Sequence, residues 1–177
     1  MQQAARVRLR DVTLDDLERL DAWDRPEIVG EFNDFGMPRR AAETLREAVA
    51  KGPLRNDRNG MVIVERIADG APIGTIGWFA VKYGPNDSSR AWNLGIALIP
   101  EARGQGLGAE AQRLMAEELF RTTDANRVEA STDVDNIAEQ RSLEKAGFTR
   151  EGIARGSQFR AGGYHDLIVY SRLRSDP

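Results

Sequence analysis

The chain has 177 residues, contains no cysteine, and has a single histidine, His165. The absence of cysteine excludes disulfides, thiolate catalysis and a cysteine-based zinc site, and it fits a reducing compartment. One histidine is too few for a histidine-rich metal site. We therefore expect chemistry that uses neither a thiol nor a bound metal ion.

Long apolar runs and strongly basic stretches are missing as well. No run reaches the roughly 18 apolar residues of a membrane-spanning helix, and the N-terminus lacks the apolar core of a signal peptide. The net charge of −3, without a Lys/Arg block, gives no sign of a nucleic-acid surface. With 41% hydrophobic and 30% charged residues, the composition is typical of a globular protein. We predict one domain over residues 1–177, in the cytoplasm, without a membrane or nucleic-acid partner.

The order of periodic segments predicts a mixed α+β architecture. Apolar–polar alternation and β-forming residues predict strands over 7–12, 61–66, 72–81, 90–99, 127–132, 148–154 and 164–172. Apolar residues at helical spacing predict helices over 14–23, 27–32, 39–51, 104–121 and 136–146. Loops are expected over residues 33–38 and, polar and mobile, over residues 54–60. Short turns join the second, third and fourth strands, which indicates an antiparallel meander.

Residues 103–109 form the most informative segment, because they place glycine at positions 104, 106 and 108 between a strand and a helix. Glycine removes the side chains that would keep a ligand away from the backbone N–H groups. A helix N-terminus adds unpaired N–H donors and a partial positive charge. Together these features make a phosphate cradle, and Arg103 supplies a full charge beside it. We predict that the segment binds a pyrophosphate.

Two common phosphate-binding loops fit this segment poorly. A P-loop ends in Gly-Lys-Ser/Thr, whereas residues 108–110 are Gly-Ala-Glu. The dinucleotide fingerprint is matched in form by Gly104, Gly106 and Ala109, with Glu129 about 20 residues later. However, the strand of a Rossmann unit runs directly into the first glycine within a parallel sheet. Here a short segment intervenes and the preceding strands are joined by hairpin turns, so this alternative is disfavoured.

Residues 99–109 resemble the acetyl-CoA pyrophosphate loop of the GNAT superfamily of N-acetyltransferases. That loop has the form Arg/Gln-x-x-Gly-x-Gly/Ala, matched here by Arg103, Gly106 and Gly108. Residues 135–148 and 163–171 are similar to further signatures of the RimJ/RimL-type branch, in matching order along the chain. The resemblance implies the GNAT fold, a mixed and mostly antiparallel central sheet flanked by helices. It also implies an enzyme that moves the acetyl group of acetyl-CoA directly to an amine.

The resemblance further implies how the co-substrate lies. The pantetheine arm is expected along residues 94–99, paired with the backbone of Ile96 and Leu98, while an N–H near Ile96 polarises the thioester carbonyl. Gly95 is expected at a bulge that separates this strand from its neighbour. Asn136 either binds the pantetheine or only caps the helix that follows. The predicted cofactor-binding residues are Ile96, Ala97, Leu98, Arg103, Gly104, Gln105, Gly106, Leu107, Gly108, Ala109 and Asn136.

The usual catalytic side chains of the family are replaced in this sequence. Asn93 stands where many relatives carry a glutamate, and Leu143 stands where many carry a tyrosine acid. Asn93 cannot accept a proton at neutral pH, but it can orient a water molecule or the amine. Glu31 and Asp34 are further catalytic candidates, because the corresponding loop covers the acceptor site in relatives. Catalysis is then expected to depend mainly on proximity and on polarisation of the thioester.

The acceptor is expected to be a primary amine. It belongs either to a protein N-terminus or to a small molecule such as an antibiotic, an amino sugar or a polyamine. The replaced catalytic residues keep one alternative open, a non-catalytic acyl-CoA-binding or regulatory module. Relatives of this family often dimerise, so a homodimer is one candidate assembly, although nothing in the sequence fixes the oligomeric state.

Overall fold

In a computed structural model, which describes residues 4–36 and 42–177, seven strands form one sheet. The strands are β1 Val7–Asp11, β2 Asn59–Arg66, β3 Pro72–Lys82, β4 Arg90–Leu98, β5 Arg127–Asp133, β6 Thr149–Arg160 and β7 Gly163–Leu173. Their spatial order is β1-β2-β3-β4-β5-β7-β6. Only β4 and β5 run parallel; the other neighbours are antiparallel. The predicted mixed, mostly antiparallel sheet is confirmed.

Helices cover both faces of the sheet. They are α1 Leu17–Trp23, α2 Pro26–Val29, α3 Ala42–Ala50, α4 Leu107–Thr122 and α5 Ile137–Lys145. The apolar residues of α4 predicted to face inward recur at helical spacing; Leu107, Ala111, Met115 and Leu119 are buried against the strands, and Leu114 is partly buried there. On β2, Val62 and Val64 join that core, whereas Ile63 packs with Leu17 of α1 and Val49 of α3. Because successive strand residues point to opposite faces, α4 lies on one face and α1 and α3 lie on the other.

The sheet opens between β4 and β5. These strands pair only at Trp92–Val128 and Asn93–Glu129, and beyond Asn93 β5 continues along β7 instead. The pairing of β4 with β3 has no register shift, so the bulge predicted at Gly95 is wrong. The gap exists because β5 turns away from β4, a long-range feature that the residues of β4 do not encode.

Among the element boundaries that differ from the sequence prediction, two have clear local reasons. Helix α4 begins at Leu107 rather than at residue 104, because Gly104 and Gly106 have φ values of +72° and +76°, which are not helical. The β6–β7 hairpin is longer than predicted and closes at Ala161 and Gly162, both with positive φ. Register shifts within β6 interrupt the alternation on which the prediction depended.

Two further predictions concern the segments before β2. Met37, Pro38 and the first residues of the helix predicted over 39–51 lie outside the described residues, and α3 accounts for the rest. Residues 54–60, predicted to be mobile, are held by hydrogen bonds. The Met61 N–H donates to the carbonyl of Leu54 at 2.7 Å, and the Asn56 Oδ1 accepts two backbone N–H groups. No helix in the described ranges is long and apolar enough to cross a membrane.

Candidate active site

Every second residue of β4 directs its backbone N–H and carbonyl groups to the gap between β4 and β5. The Ile99 N–H donates to the Ile73 carbonyl at 2.9 Å, so residues of odd number direct their backbone groups to β3. The backbone groups of Ile96 and Leu98 therefore point to the side from which β5 has withdrawn. This is the arrangement that the predicted pairing with a pantetheine arm requires.

A cavity of about 610 Å³ adjoins this edge, and we call it the glycine-loop cavity. It lies between β4, the loop before α4, one side of α5 and the segment after α2. Predicted site residues in its lining are Glu31, Ile96, Leu98, Arg103, Gly104, Gly106, Gly108, Ala109 and Asn136. The first four N–H groups of α4 have no acceptor within the helix, and its positive dipole end lies at the same place. The cavity therefore offers an anion site made of backbone.

Close packing and a remote arginine support the glycine loop. A Cβ atom at Gly108 would lie 3.4 Å from Leu98 Cδ1 and 3.4 Å from Ser142 Oγ, at the short end of ordinary van der Waals contact. The Arg6 guanidinium donates from Nη1 to the carbonyl of Gln105 at 3.0 Å. Sequence reasoning missed Arg6, because nothing near it in the chain indicates this contact.

The remaining predicted cofactor residues are distributed differently. The side chain of Leu107 is buried in the core, and Ala97 lines a cavity on the opposite face. The Gln105 side chain donates to an earlier backbone carbonyl and does not line the cavity. Asn136 caps α5, since its Oδ1 accepts the N–H of Glu139 at 3.2 Å, while it also lines the glycine-loop cavity. The two roles foreseen for Asn136 are thus compatible, because Nδ2 can still donate to a ligand.

Arg103 links two elements beside the cavity. Its Nε donates to the carbonyl of Leu98 at 2.9 Å, and its Nη2 donates to the carbonyl of Ile28 in α2. The guanidinium therefore joins the end of β4 to α2 and brings its charge to the cavity wall. Arg141 and Lys145 of α5 line the same cavity. Three cations around a backbone anion site favour a polyanionic ligand.

Glu139 is a titratable group of this cavity that the sequence did not reveal. Burial raises the pKa of its carboxyl to about 7, although a hydrogen bond from Gln112 opposes the shift. The Gln112 Nε2 lies 2.9 Å from Glu139 Oε1 and 3.1 Å from Ser142 Oγ. The buried Gln112 Oε1 has no hydrogen-bond partner within the described chain. The Glu139 carboxyl therefore changes its charge in the neutral pH range.

A second cavity, of about 600 Å³, lies on the other face of β4, and we call it the apolar cavity. Side chains of α1, α2 and the strands form its mostly apolar wall, and Asp21 and Asp24 are the carboxylates in its lining. Val29 and Leu98 line both cavities. The two cavities therefore meet at β4, the strand that separates from β5 beyond Asn93.

Asn93 lies on the face of the apolar cavity. The indole of Trp92 donates to Thr123 Oγ1 at 3.1 Å, which places Trp92 on the α4 face and the next residue on the opposite one. Gly95 follows on the same face as Asn93, is exposed, and has no atom within 4 Å of where a Cβ would stand. Ala97, two residues further, lines the apolar cavity. Asn93, Gly95 and Ala97 therefore lie in a row on one face of β4. The open space above Gly95 connects Asn93 to the apolar cavity.

The amide of Asn93 is bound to a buried carboxylate. Its Nδ2 donates to Glu129 Oε1 at 3.3 Å, and Glu129 is only 5% exposed. The Tyr83 hydroxyl donates to Glu129 Oε2 at 2.6 Å, and Arg127 Nε donates to the same oxygen at 2.8 Å. The hydrogen bond to Glu129, together with burial, raises the pKa of Tyr83. Leu143, where relatives carry a tyrosine, is fully buried in the core.

The two carboxylates predicted as catalytic candidates occupy different positions relative to the cavities. Glu31 lines the glycine-loop cavity, and its carbonyl accepts from Arg160 Nη1 at 2.8 Å. Asp34 is outside the lining of both cavities, and its Oδ1 accepts the N–H of Gly36 at 3.1 Å. Arg160 is buried and paired with Asp133, so it fastens the segment after α2 to β5. The structure brings Glu31 to the site and leaves Asp34 at its edge.

Comparison with known proteins agrees with this geometry. The model of the family described as acetyltransferase (GNAT) domain matches residues 6–149. The chain is 28% identical over 174 residues to YoaA of Bacillus subtilis, an uncharacterised N-acetyltransferase, covering 96% of this chain and 94% of that one. Among solved structures, a spermidine N-acetyltransferase from Vibrio cholerae in complex with CoA and spermine has a TM-score of 0.80 at 20% identity, covering 98% of each chain. A ribosomal-protein-S5-alanine acetyltransferase from Vibrio fischeri has a TM-score of 0.77 at 18% identity, covering 98% and 96%.

An open sheet beside a glycine-rich helix start defines a protein that binds an acyl-CoA. Within that class, the chain belongs to the GNAT family of acetyltransferases. It is an acetyl-CoA-dependent N-acetyltransferase, and the expected GNAT fold is confirmed. The RimJ/RimL-type resemblance is supported by 27% identity over 174 residues to YdaF of Bacillus subtilis, a putative ribosomal N-acetyltransferase, covering 93% of this chain and 92% of that one. The residues fit the co-substrate, since backbone N–H groups and cations converge at the glycine loop, where the sequence predicts that a pyrophosphate binds.

Proposed function

We propose that the protein transfers the acetyl group of acetyl-CoA, held in the glycine-loop cavity, directly to a primary amine that enters through the apolar cavity. The observation that carries this proposal is the position of β4 between the two cavities, with Val29 and Leu98 in the lining of both. Direct transfer needs the thioester and the amine to meet at one strand. The gap between β4 and β5 supplies that meeting point.

Each part of the chain then has a chemical task. The backbone N–H groups of residues 106–109 hold the phosphates, and the backbone of Ile96 polarises the thioester carbonyl. The Asn93 Oδ1 accepts an N–H of the amine and orients it, while the proton leaves through water. No acid is required at Leu143, because a free thiol has a pKa of about 8.5 and leaves readily as a thiolate. The rate enhancement comes from proximity and electrostatic stabilisation.

The acceptor we favour is an alkyl amine that carries a further positive charge. The apolar cavity has room for an aliphatic body, and Asp21 and Asp24 in its lining attract a cation. The solved neighbour that acts on spermidine supports this class of acceptor. The neighbour that acts on a ribosomal protein supports the second candidate, the N-terminus of a protein.

We also retain the broader predictions for the chain. Residues 1–177 form a single acetyltransferase domain that works in the cytoplasm, without a nucleic-acid or membrane partner. A homodimer remains a prediction, and sedimentation velocity of the purified protein tests it directly.

A screen of acceptors tests the proposed function. The purified protein is incubated with acetyl-CoA and with polyamines, aminoglycosides, amino sugars or peptides with a free N-terminus, and release of the CoA thiol is measured. The same peptides with an acetylated N-terminus are the matched control. Thiol release that requires a free amine supports transfer. Thermal stabilisation by acetyl-CoA without turnover across the panel would instead support a non-catalytic acyl-CoA-binding module.

A further inference from the structure

We propose that Glu129 is a positioning residue of the acetyl transfer, because it holds the Asn93 amide with Oδ1 directed at the incoming amine. This inference rests on the proposed function and adds to it a residue on a neighbouring strand. Glu129 does not touch the substrates in this proposal. It acts through Asn93.

The place of the pair in the sheet is the first step. Asn93 and Glu129 form the last β4–β5 pair before the strands separate. Directly paired residues lie on the same face of a sheet, and that face also carries Gly95 and Ala97. An amine that passes from the apolar cavity to the gap crosses the open space above Gly95. Asn93 is then the next side chain in the row.

The chemistry of the amide is the second step. An asparagine side chain has one acceptor oxygen and one donor NH2 group, and only hydrogen bonding decides which group points where. A carboxylate accepts but does not donate, so Glu129 selects the Nδ2 side of Asn93. The Oδ1 is thereby turned away from Glu129 and can accept an N–H from the amine. An amine held by one N–H keeps its lone pair for attack on the thioester carbon.

The rigidity of Glu129 is the third step. Its two oxygens accept from donors on three segments: Tyr83 after β3, Asn93 on β4 and Arg127 on β5. A buried carboxylate that already accepts from three donors is poorly placed to take a proton from the amine. Its role is therefore to position Asn93 rather than to act as the general base.

A double-mutant cycle tests this role. Glu129→Ala is expected to lower kcat/KM for the amine about tenfold, the effect of losing one to two hydrogen bonds. Asn93→Ala is expected to cost at least as much. Because Glu129 acts through Asn93, the double variant should be no worse than Asn93→Ala alone. The dissociation constant for acetyl-CoA should stay within about twofold in all three variants, since none of these side chains lines the glycine-loop cavity.

Two milder variants keep the test decisive if Glu129→Ala does not fold. Glu129→Gln keeps an oxygen that can accept from Asn93, so it should retain more activity than Glu129→Ala. Tyr83→Phe removes one donor from a largely exposed residue and should cost about two- to threefold. If Glu129→Ala does not fold, the same cycle is run with Tyr83→Phe and Asn93→Ala.

Glu151→Gln is the matched control. It weakens the contacts of the same arginine, Arg127, and leaves the bond between Glu129 and Asn93 in place. Its kcat/KM should lie within about twofold of the wild type. A loss as large as that of Glu129→Ala would assign the effect to the ion pair and would overturn the proposal.

The pH profile separates positioning from proton transfer. For a positioning residue, kcat/KM of Glu129→Ala should keep the shape of the wild-type profile at a lower level. If the profile of Glu129→Ala lost its acidic limb, or if the losses in the double-mutant cycle were additive, the role proposed for Glu129 would be contradicted. Either result would leave the transferase activity established. Absence of turnover in the wild type with every amine would instead contradict the proposed function itself.

Discussion

The two sides of β4 differ in the groups they present: backbone groups on one side and side chains on the other. On the side of the glycine-loop cavity, the ligand site consists of backbone: positive-φ glycines, the first N–H groups of α4 and the freed edge of the strand. On the acceptor side, the site consists of side chains that meet from distant parts of the chain, namely Asn93, Glu129, Tyr83 and the acidic residues of the apolar cavity. In the proposed function, the first side binds the co-substrate that the family shares, and the second binds the amine acceptor.

The difference separates a site that tolerates changes of side chain from a site whose chemistry depends on individual side chains. A backbone site tolerates exchange of neighbouring side chains, provided that glycine keeps the required φ values. A side-chain site changes its chemistry with a single substitution. Asn93 stands at such a position, because the resemblance places a glutamate there in many relatives, and the buried Glu129 offers a carboxylate one strand away. Three predictions test the comparison, from the largest expected effect to the smallest.

The largest effect is expected for Gly106→Val. Gly106 has a φ of +76° at the start of α4, a conformation that a β-branched residue rarely adopts. The loop must then rearrange and withdraw its N–H groups, so the dissociation constant for acetyl-CoA should rise at least about tenfold, as isothermal titration calorimetry can measure.

Gly70→Val provides the control for strain. Gly70 has a φ of +68° in the β2–β3 turn, with open space around a Cβ. Both variants should lose comparable thermal stability, but Gly70→Val should bind acetyl-CoA like the wild type. Equal affinities for both variants would show that the site does not depend on its backbone conformation.

The same division explains what could be read from the sequence. The glycine loop, the apolar stripe of α4 and the cap at Asn136 depend on residues close together in the chain, and their positions were predicted well. The separation of β4 from its neighbour was expected only from the family resemblance, and its cause was wrongly assigned to a bulge at Gly95; it depends on β5 following β7 rather than β4. The contacts of Arg6 with Gln105 and of Asn93 with Glu129 join residues far apart in sequence. No local pattern indicates such pairs.

Glu139 gives an intermediate effect, because it is a side chain placed within the backbone-built site. Its pKa of about 7 is raised above the usual value, so the folded state holds a proton that the unfolded state has released. Stability should therefore fall as pH rises from about 4.5 to about 7, by roughly 2–3 kcal/mol at most. Glu139→Gln removes this cost, so its gain in Tm over the wild type should be larger at pH 8 than at pH 5.

Glu18→Gln, at an exposed position of α1, is the control for the loss of a carboxyl group, and it should not reproduce the gain in Tm of Glu139→Gln. Acetyl-CoA binding gives a second measurement. The ionised Glu139 repels phosphates, so wild-type affinity should weaken between pH 6 and pH 8, whereas that of Glu139→Gln should change less. A parallel pH dependence in both proteins would contradict the assignment of this titration to Glu139.

The smallest effects are expected on the carboxylates near the loop after α2. A positioned general base typically contributes about 10²- to 10⁴-fold to the rate. Asp34 lies outside both cavities and Glu31 faces the co-substrate side, so neither is placed to deprotonate an amine that arrives past Gly95. Glu31→Gln and Asp34→Asn should each lower kcat/KM less than about tenfold. Activity of the wild type and of both variants should rise with pH, because a larger fraction of the amine is neutral. A loss near a thousandfold in either folded variant would identify that residue as the base, and it would move the decisive chemistry from the Asn93 row to the segment after α2.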